Sequence, residues 1–226
     1  TAVSPTDPAV VFSVLGRQEI AGRSGTILEG ESGANDPVGI ALMAGLLAAG
    51  GLSGAAFGSI AIDFALQMAI GVAAGVAGGI ALLAFMRRIS LPSEALYPLR
   101  TLASVLLLYG ATTLLHGSGF LAVFVAGIVI GQRRAPYQRE IERFHAALAG
   151  LAEIVAFVGL GLTIDLTVLA RTDVWLPGLI LGLALALVIR PLVVGICLLP
   201  AQLERGERVF VMFAGLKGAV PILLGL

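Results

Sequence analysis

Gly30-Glu31-Ser32-Gly33-Ala34-Asn35-Asp36-Pro37 stands inside the long apolar run Ile27–Gly50. Two carboxylates, an amide and a hydroxyl within so few residues are out of place in such a run. If the stretch is helical, Ser32 and Asp36 are one turn apart and share a side. Glu31 and Asn35 share an adjoining side. Glu31 and Asp36 are five apart and point in different directions, so the two acids can do separate jobs. Pro37 has no N–H for the carbonyl of Gly33, which becomes either a spare oxygen or the site of a kink.

The rest of the chain sets the surroundings of this segment. Of 226 residues, 58% are hydrophobic and 12% charged, with mean hydropathy +1.01. Soluble domains carry about twice that charge fraction. The composition predicts an all-α polytopic membrane protein. Thirty glycines agree, because small residues let transmembrane helices approach closely. A net charge of zero and the lack of a basic tract give no sign of a nucleic-acid partner. Cys197 stands alone in an apolar run and implies no disulfide framework. The start, Thr1-Ala-Val-Ser-Pro5, has no basic n-region and is not a signal peptide. The chain stops within an apolar run, and both ends lead us to expect a piece of a longer membrane protein.

Apolar runs predict spans at Ile27–Gly50, Ser59–Met86, Thr101–Leu115, Phe120–Gly131, Ala146–Ala170, Val174–Leu199 and Val209–Leu226, after a short run at Pro8–Gly16. Phe120–Gly131 is short for a span and could begin within the preceding Gly-Ser-Gly. Basic residues test the count. Arg17, Arg23, Arg87, Arg88, Arg100, Arg133, Arg134, Arg139, Arg143, Arg205 and Arg208 fall in alternate connections, and Arg171 alone falls on the other side. That alternation is what the positive-inside rule requires, and it predicts that the Arg-rich connections are cytoplasmic. Trp175 and Tyr97 sit at span ends, as interfacial aromatics do.

Five charges remain inside apolar runs: Glu31, Asp36, Glu153, Arg190 and Lys217. Each costs about 2.5–3.5 kcal/mol at a helix centre, so they must face one another or water. Asp36 with the Ser32 hydroxyl makes a hard oxygen site for a small cation or a proton. Glu31 is available to pair with Arg190, whose guanidinium stays charged at any physiological pH. Thr6-Asp7-Pro8 and Gly215-Leu-Lys-Gly-Ala-Val-Pro221 each break an apolar segment with a charge and a proline. Paired broken helices are a sequence pointer to a transporter's midplane site. Asp7 suits the positive end of a half-helix, and Lys217 the negative end. Blander readings stand beside these: Glu31–Arg190 as a structural salt bridge, Ser32 as a packing residue, Glu153 as a supporting residue. His116 and His145 read as interfacial, and Asp63, Asp165 and Asp173 as span-end residues. Glu29 is ambiguous and could line an entry funnel.

In family order, Thr6-Asp7-Pro8, Glu31–Pro37, Glu153–Leu162, Arg190 and Gly215–Pro221 resemble the monovalent cation:proton antiporters of the NhaP type. That group includes the eukaryotic sodium/proton exchangers. The Asn-Asp-Pro form and the Gly-Ala-Val-Pro ending look closest to its bacterial potassium/proton branch. The resemblance covers the whole chain, as one partial transmembrane exchanger domain, 1–226. It implies the NhaA-like fold with inverted repeats and crossed, broken transmembrane helices. It implies that Asp36 binds cation and proton in turn, with Ser32 and the Thr6 backbone as further ligands. Asn35 replaces an acid that electrogenic relatives carry, which implies electroneutral exchange. Arg190 would pair with Glu31, and Asp7 and Lys217 would balance the crossed helix ends. The implied partners are protons, sodium or potassium, the bilayer and a second copy of the chain, with no cofactor and a bacterial plasma-membrane location. Lys217 departs from the family's usual Arg. Helices before Thr6 and after the final run are expected to lie outside this sequence.

Two other functions fit parts of the pattern. Gly30-Glu-Ser-Gly33 matches the Gly-x-Ser-Gly form of rhomboid-type intramembrane proteases, which need a histidine base. A cation channel would also use buried acids, but channels favour continuous pores over broken helices.

Overall fold

The computed structural model describes residues 5–7, 23–48, 54–133, 135–201, 203–215, 217–218 and 220–221. Pro8, the short run that follows it and Arg17 lie outside the described residues. Within them the chain is helical, without strands: α1 Arg23–Ala48, α2 Gly54–Arg88, α3 Leu96–Leu114, α4 Gly119–Gln132, α5 Gln138–Thr163, a short α6 Leu166–Leu169, α7 Thr172–Ala184, α8 Arg190–Cys197 and α9 Arg205–Phe213. A wider π-turn at Leu185–Ile189 joins α7 to α8. It ends just before Arg190-Pro191, where proline's missing N–H disturbs the normal ladder.

Three stretches among the described residues are long and apolar enough to cross a membrane: Gly58–Arg88, Gln138–Thr163 and Asp173–Cys197. Their outer faces are apolar and open. Leu66, Leu162 and Leu192, one on each stretch, are 54%, 83% and 59% exposed. Outward leucines of this kind suit lipid and not water.

The chain divides into two compact units, one of Asp36–Val155 and one of Ala2–Asn35 with Ala156–Leu226. In the first unit α2 lies against α4 along a stripe of glycines. A Cβ on Gly71 would come 2.9 Å from the Ser118 carbonyl, and one on Gly75 would come 2.6 Å from the Ala122 carbonyl. One on Gly79 would sit 3.0 Å from the Ala126 Cα. Glycines four apart on α2 thus meet Ser118, Ala122 and Ala126 four apart on α4, backbone to backbone. This small-residue packing is how membrane helices gain contact without a hydrophobic driving force. Leu82, Leu83, Met86, Tyr97, Ile130 and Ile141 close one end. Arg100 lies over the Tyr97 and Phe85 rings at 4.7 and 5.2 Å and donates to the Ile89 carbonyl at 2.7 Å. In the second unit Leu28, Leu198 and Val211 form the core.

Several helix ends differ from the expectation drawn from hydropathy. Both α5 and α9 start earlier, at Gln138 and Arg205, because their first turns are polar and carry no apolar signal. A capping box between Glu204 and Glu207 starts α9. The run Ala146–Ala170 breaks after Thr163. There Asp165 accepts from the Thr167 N–H and hydroxyl and from the Val168 N–H, and so begins α6. These bonds hold its carboxyl below the usual carboxylate range, the Thr167 hydroxyl contributing most. The Gly117-Ser118-Gly119 turn starts α4, with the Ser118 hydroxyl accepting from Leu121 N–H at 3.3 Å. Arg171 pairs with Asp173 at 2.8 Å in an exposed bridge.

Candidate ion-binding site

In the second unit the buried charges and the broken segments come together. Arg190 begins α8 directly after the π-turn and reaches Glu31 on α1. Its Nη1 donates to Oε1 at 2.6 Å and its Nη2 to Oε2 at 3.0 Å. The side chains are 14% and 25% exposed. This is the planar two-point pairing that guanidinium and carboxylate favour. Arg190 also donates to the Val211 carbonyl of α9 at 3.4 Å. Its guanidinium lies flat on the backbone of Gly215, where any Cβ would overlap Cζ, Nε and Nη1. Gly215 is therefore a requirement of the pair, because only glycine leaves room there.

Asn35, one turn after Glu31, holds the non-helical Pro5–Asp7 segment. Its amide nitrogen donates to the Thr6 hydroxyl at 2.7 Å, and its amide oxygen accepts from the Thr6 N–H at 3.3 Å. One amide thus reads both the backbone and the side chain of a residue that is 5% exposed. The Thr6 hydroxyl also faces Glu31 Oε1 at 3.5 Å. Residues Pro5–Asp7 are non-helical, so their backbone groups lack helical partners and are open to such contacts.

A second non-helical stretch runs beside it. The chain is non-helical at Ala214–Gly215 and at Lys217–Gly218, and helical again at Val220 and Pro221. Lys217 Nζ donates to the Pro5 carbonyl at 3.2 Å. A Cβ on Gly218 would collide with the Asp7 carboxyl. The Pro5–Asp7 segment and the non-helical Lys217–Gly218 are therefore in direct contact, each with one opposite charge.

The structure thus brings together Thr6, Asp7, Glu31, Asn35, Arg190 and Lys217. Ser32 and Asp36 sit one turn apart on α1, both half-buried, and Asp36 Oδ1 is shielded from solvent. Asp36 directly follows Asn35 and opens the first unit. The helix continues through Pro37 to Ala48. Glu153 is half-buried on α5, and Glu29 is exposed on α1. Reasoning from sequence did not find the close approaches at Gly215 and Gly218. Their signal was present as paired glycines flanking Lys217.

A non-helical segment at Pro5–Asp7 laid against the non-helical stretch between Phe213 and Val220, with a partly buried ion pair next to them, is the kind of arrangement that membrane transporters build around discontinuous helices. The chain belongs to the sodium/hydrogen exchanger transmembrane family, which matches residues 1–226. It is 37% identical over 226 residues to a K(+)/H(+) antiporter NhaP of Alkalimonas amylolytica, covering 99% of this chain and 39% of that protein. It is 35% identical over 224 residues to a K(+)/H(+) antiporter NhaP2 of Shewanella sp. (strain MR-4), covering 98% and 39%. The structure resembles that of the sodium proton antiporter MjNhaP1 of Methanocaldococcus jannaschii at pH 8, with TM-score 0.72 and 26% identity. That match covers 99% of this chain and 57% of the archaeal one. The chain thus spans about two fifths of the curated relatives' length.

Proposed function

We propose that the protein carrying this chain exchanges a monovalent cation for a proton, by competition of the two at Asp36. The observation that carries this reading is the two-point Glu31–Arg190 pair. Both oxygens of Glu31 are committed to the Arg190 guanidinium, so the pair reads as a fixed structural element and not as the exchanging site. Asp36 is the other acid of the segment. The Ser32 hydroxyl one turn earlier supplies a second hard oxygen. Asn35 is an amide, committed to Thr6, and does not titrate. One titrating carboxylate per cycle makes the exchange one-for-one and electroneutral. A proton and a dehydrated cation cannot share it, so the gradient of one drives the other, with alternating exposure to each side.

Potassium is the cation in the names of the two bacterial relatives and sodium in that of the archaeal structure. We take potassium first, with a role in pH homeostasis. The protein is a multi-pass protein of a bacterial plasma membrane, its Arg-rich connections cytoplasmic by the positive-inside rule. It works as a homodimer. Asp7 and Lys217 compensate the half-helix ends that meet at the breaks.

The test is proteoliposome exchange by the full-length protein. Asp36→Asn is expected to abolish potassium-driven proton flux while leaving folding intact. Saturable, proton-coupled flux separates this reading from a channel. Retained flux in Asp36→Asn sinks it.

A further inference from the structure

The first unit contains a cavity of about 520 Å3 that the ion-site reading does not use. Gly45 of α1, Ser59, Asp63, Gln67 and Ile70 of α2, and His116 of the α3–α4 turn line it. Among the described residues, Asp63 and His116 are the titratable groups of this lining, and α1 contributes Ala44 and Gly45. Counted along α2, Asp63 lies about 36 Å from Arg87 at 1.5 Å per residue. A hydrocarbon core is about 30 Å thick. Asp63 and the cavity it lines therefore lie toward the membrane face opposite the Arg87, Arg88 and Arg133 end.

His116 is held there by construction. Its φ is 59°, in the left-handed region that non-glycine residues seldom occupy. The turn cannot withdraw from α2. Ser118 N–H donates to the Gln67 carbonyl at 3.0 Å. Gly117 is pressed so close that a Cβ would collide with the Ile70 side chain and lie 2.9 Å from Thr112 Cγ2. Strained residues kept in place by over-determined packing cluster at functional positions. Here the strain places His116 on the wall of a mostly apolar cavity whose polar groups include one carboxylate and one carboxamide.

A concave surface with a single negative charge raises the local concentration of cations. An imidazole on the same wall opposes that charge whenever it carries a proton. We propose that this cavity is a vestibule for hydrated monovalent cations on the arginine-poor side, where Asp63 draws the cation in and His116 opposes it once protonated. The inference rests on the exchange reading for the identity of the cation. It makes external cation affinity fall under acid conditions without any change at Asp36.

The test uses the full-length protein in oriented proteoliposomes, with potassium added to either face. A carboxylate about 6 Å from an ion in water-like surroundings is worth a factor of about three. Asp63→Asn is expected to raise KM for potassium about threefold from the vestibule side, with the maximal rate and the opposite-side KM unchanged. Competition at Asp36 raises KM in acid in every variant; in His116→Gln that rise is expected to be smaller than in the wild type, by up to about threefold, and an equal rise in the two proteins removes His116 from the proposal. An unchanged KM in Asp63→Asn, or an equal rise from both faces, overturns the proposal. A second measurement does not need transport. Asp63→Cys, in a Cys197→Ser background, is expected to react with a permanently cationic, membrane-impermeant thiol reagent from the vestibule side only. Exchange by a protein whose introduced thiol is unreactive sinks the vestibule alone. Reactivity without any wild-type exchange sinks the exchange reading, and the cation role of the vestibule with it.

Discussion

Gly215→Ala is the most informative single-atom change that the structure offers. The glycine's backbone lies outside the left-handed region, so alanine meets no conformational strain there. The whole cost comes from the methyl group, which would occupy the space of the Arg190 guanidinium. A guanidinium is the far end of a flexible side chain and can move. Moving it breaks the 2.6 and 3.0 Å bonds to Glu31. Hydrogen bonds to charged groups contribute about 1.5–3 kcal/mol each. Breaking a buried ion pair costs about 3–5 kcal/mol. With Glu31 a quarter exposed, water recovers part of this. We expect a loss of about 2–3 kcal/mol. The assay is reversible unfolding of the full-length protein in mixed micelles, run as a double-mutant cycle with Glu31→Gln. If the methyl acts through the pair, most of its cost is already spent in the Glu31→Gln background, leaving a coupling of about 2 kcal/mol. Strictly additive losses would refute the reasoning, because they would mean that Gly215 is needed for something other than seating Arg190.

Gly75→Leu places its first carbon 2.6 Å from a backbone carbonyl that cannot move aside, and should prevent α2 from packing on α4; yield and melting of the purified protein report this. Gly150→Ala, with nothing near the added carbon, should be neutral or stabilise by up to about 1 kcal/mol through helix propensity in the same assay. Asn35→Asp adds a second titrating acid and removes the donor to the Thr6 hydroxyl. Exchange should then carry net charge, read as a membrane-potential-dependent rate, with a lower melting temperature. Asp165 is held below its usual range by Thr167 and Val168, so its contribution is present at neutral pH and lost as pH falls through its folded-state value. Asp165→Asn should therefore lower stability at pH 7 and make no difference in strong acid, as followed by unfolding at the two pH values.

How legible this was from sequence follows from cost. A charge inside an apolar run is expensive, so Glu31 and Arg190 had to find each other across 159 positions, and chemistry alone named the pair. The same argument located the break around Lys217, since a proline and a charge together end a buried helix. Cheaper features were not legible. The polar first turns of α5 and α9 have no hydropathy signal, so both helices begin earlier than the apolar runs suggest. Asp63 and His116 each looked like an ordinary span-end residue, because a lone polar group at an interface costs little. Only the fold shows that they line one cavity. The double contact from Asn35 to Thr6 depends on a non-helical segment whose path the sequence does not give.

The wide turn at Leu185–Ile189 matters for anyone who lays this chain against another residue by residue. It holds one more residue than an α-helical path of the same sense would need. A relative whose helix lacks the turn will fall out of step after Ile189. Strict counting would then place its arginine about 100° around the helix from where the carboxylate waits. A one-position gap in the loop-free middle of a helix, usually dismissed as an alignment error, is here the correct correspondence.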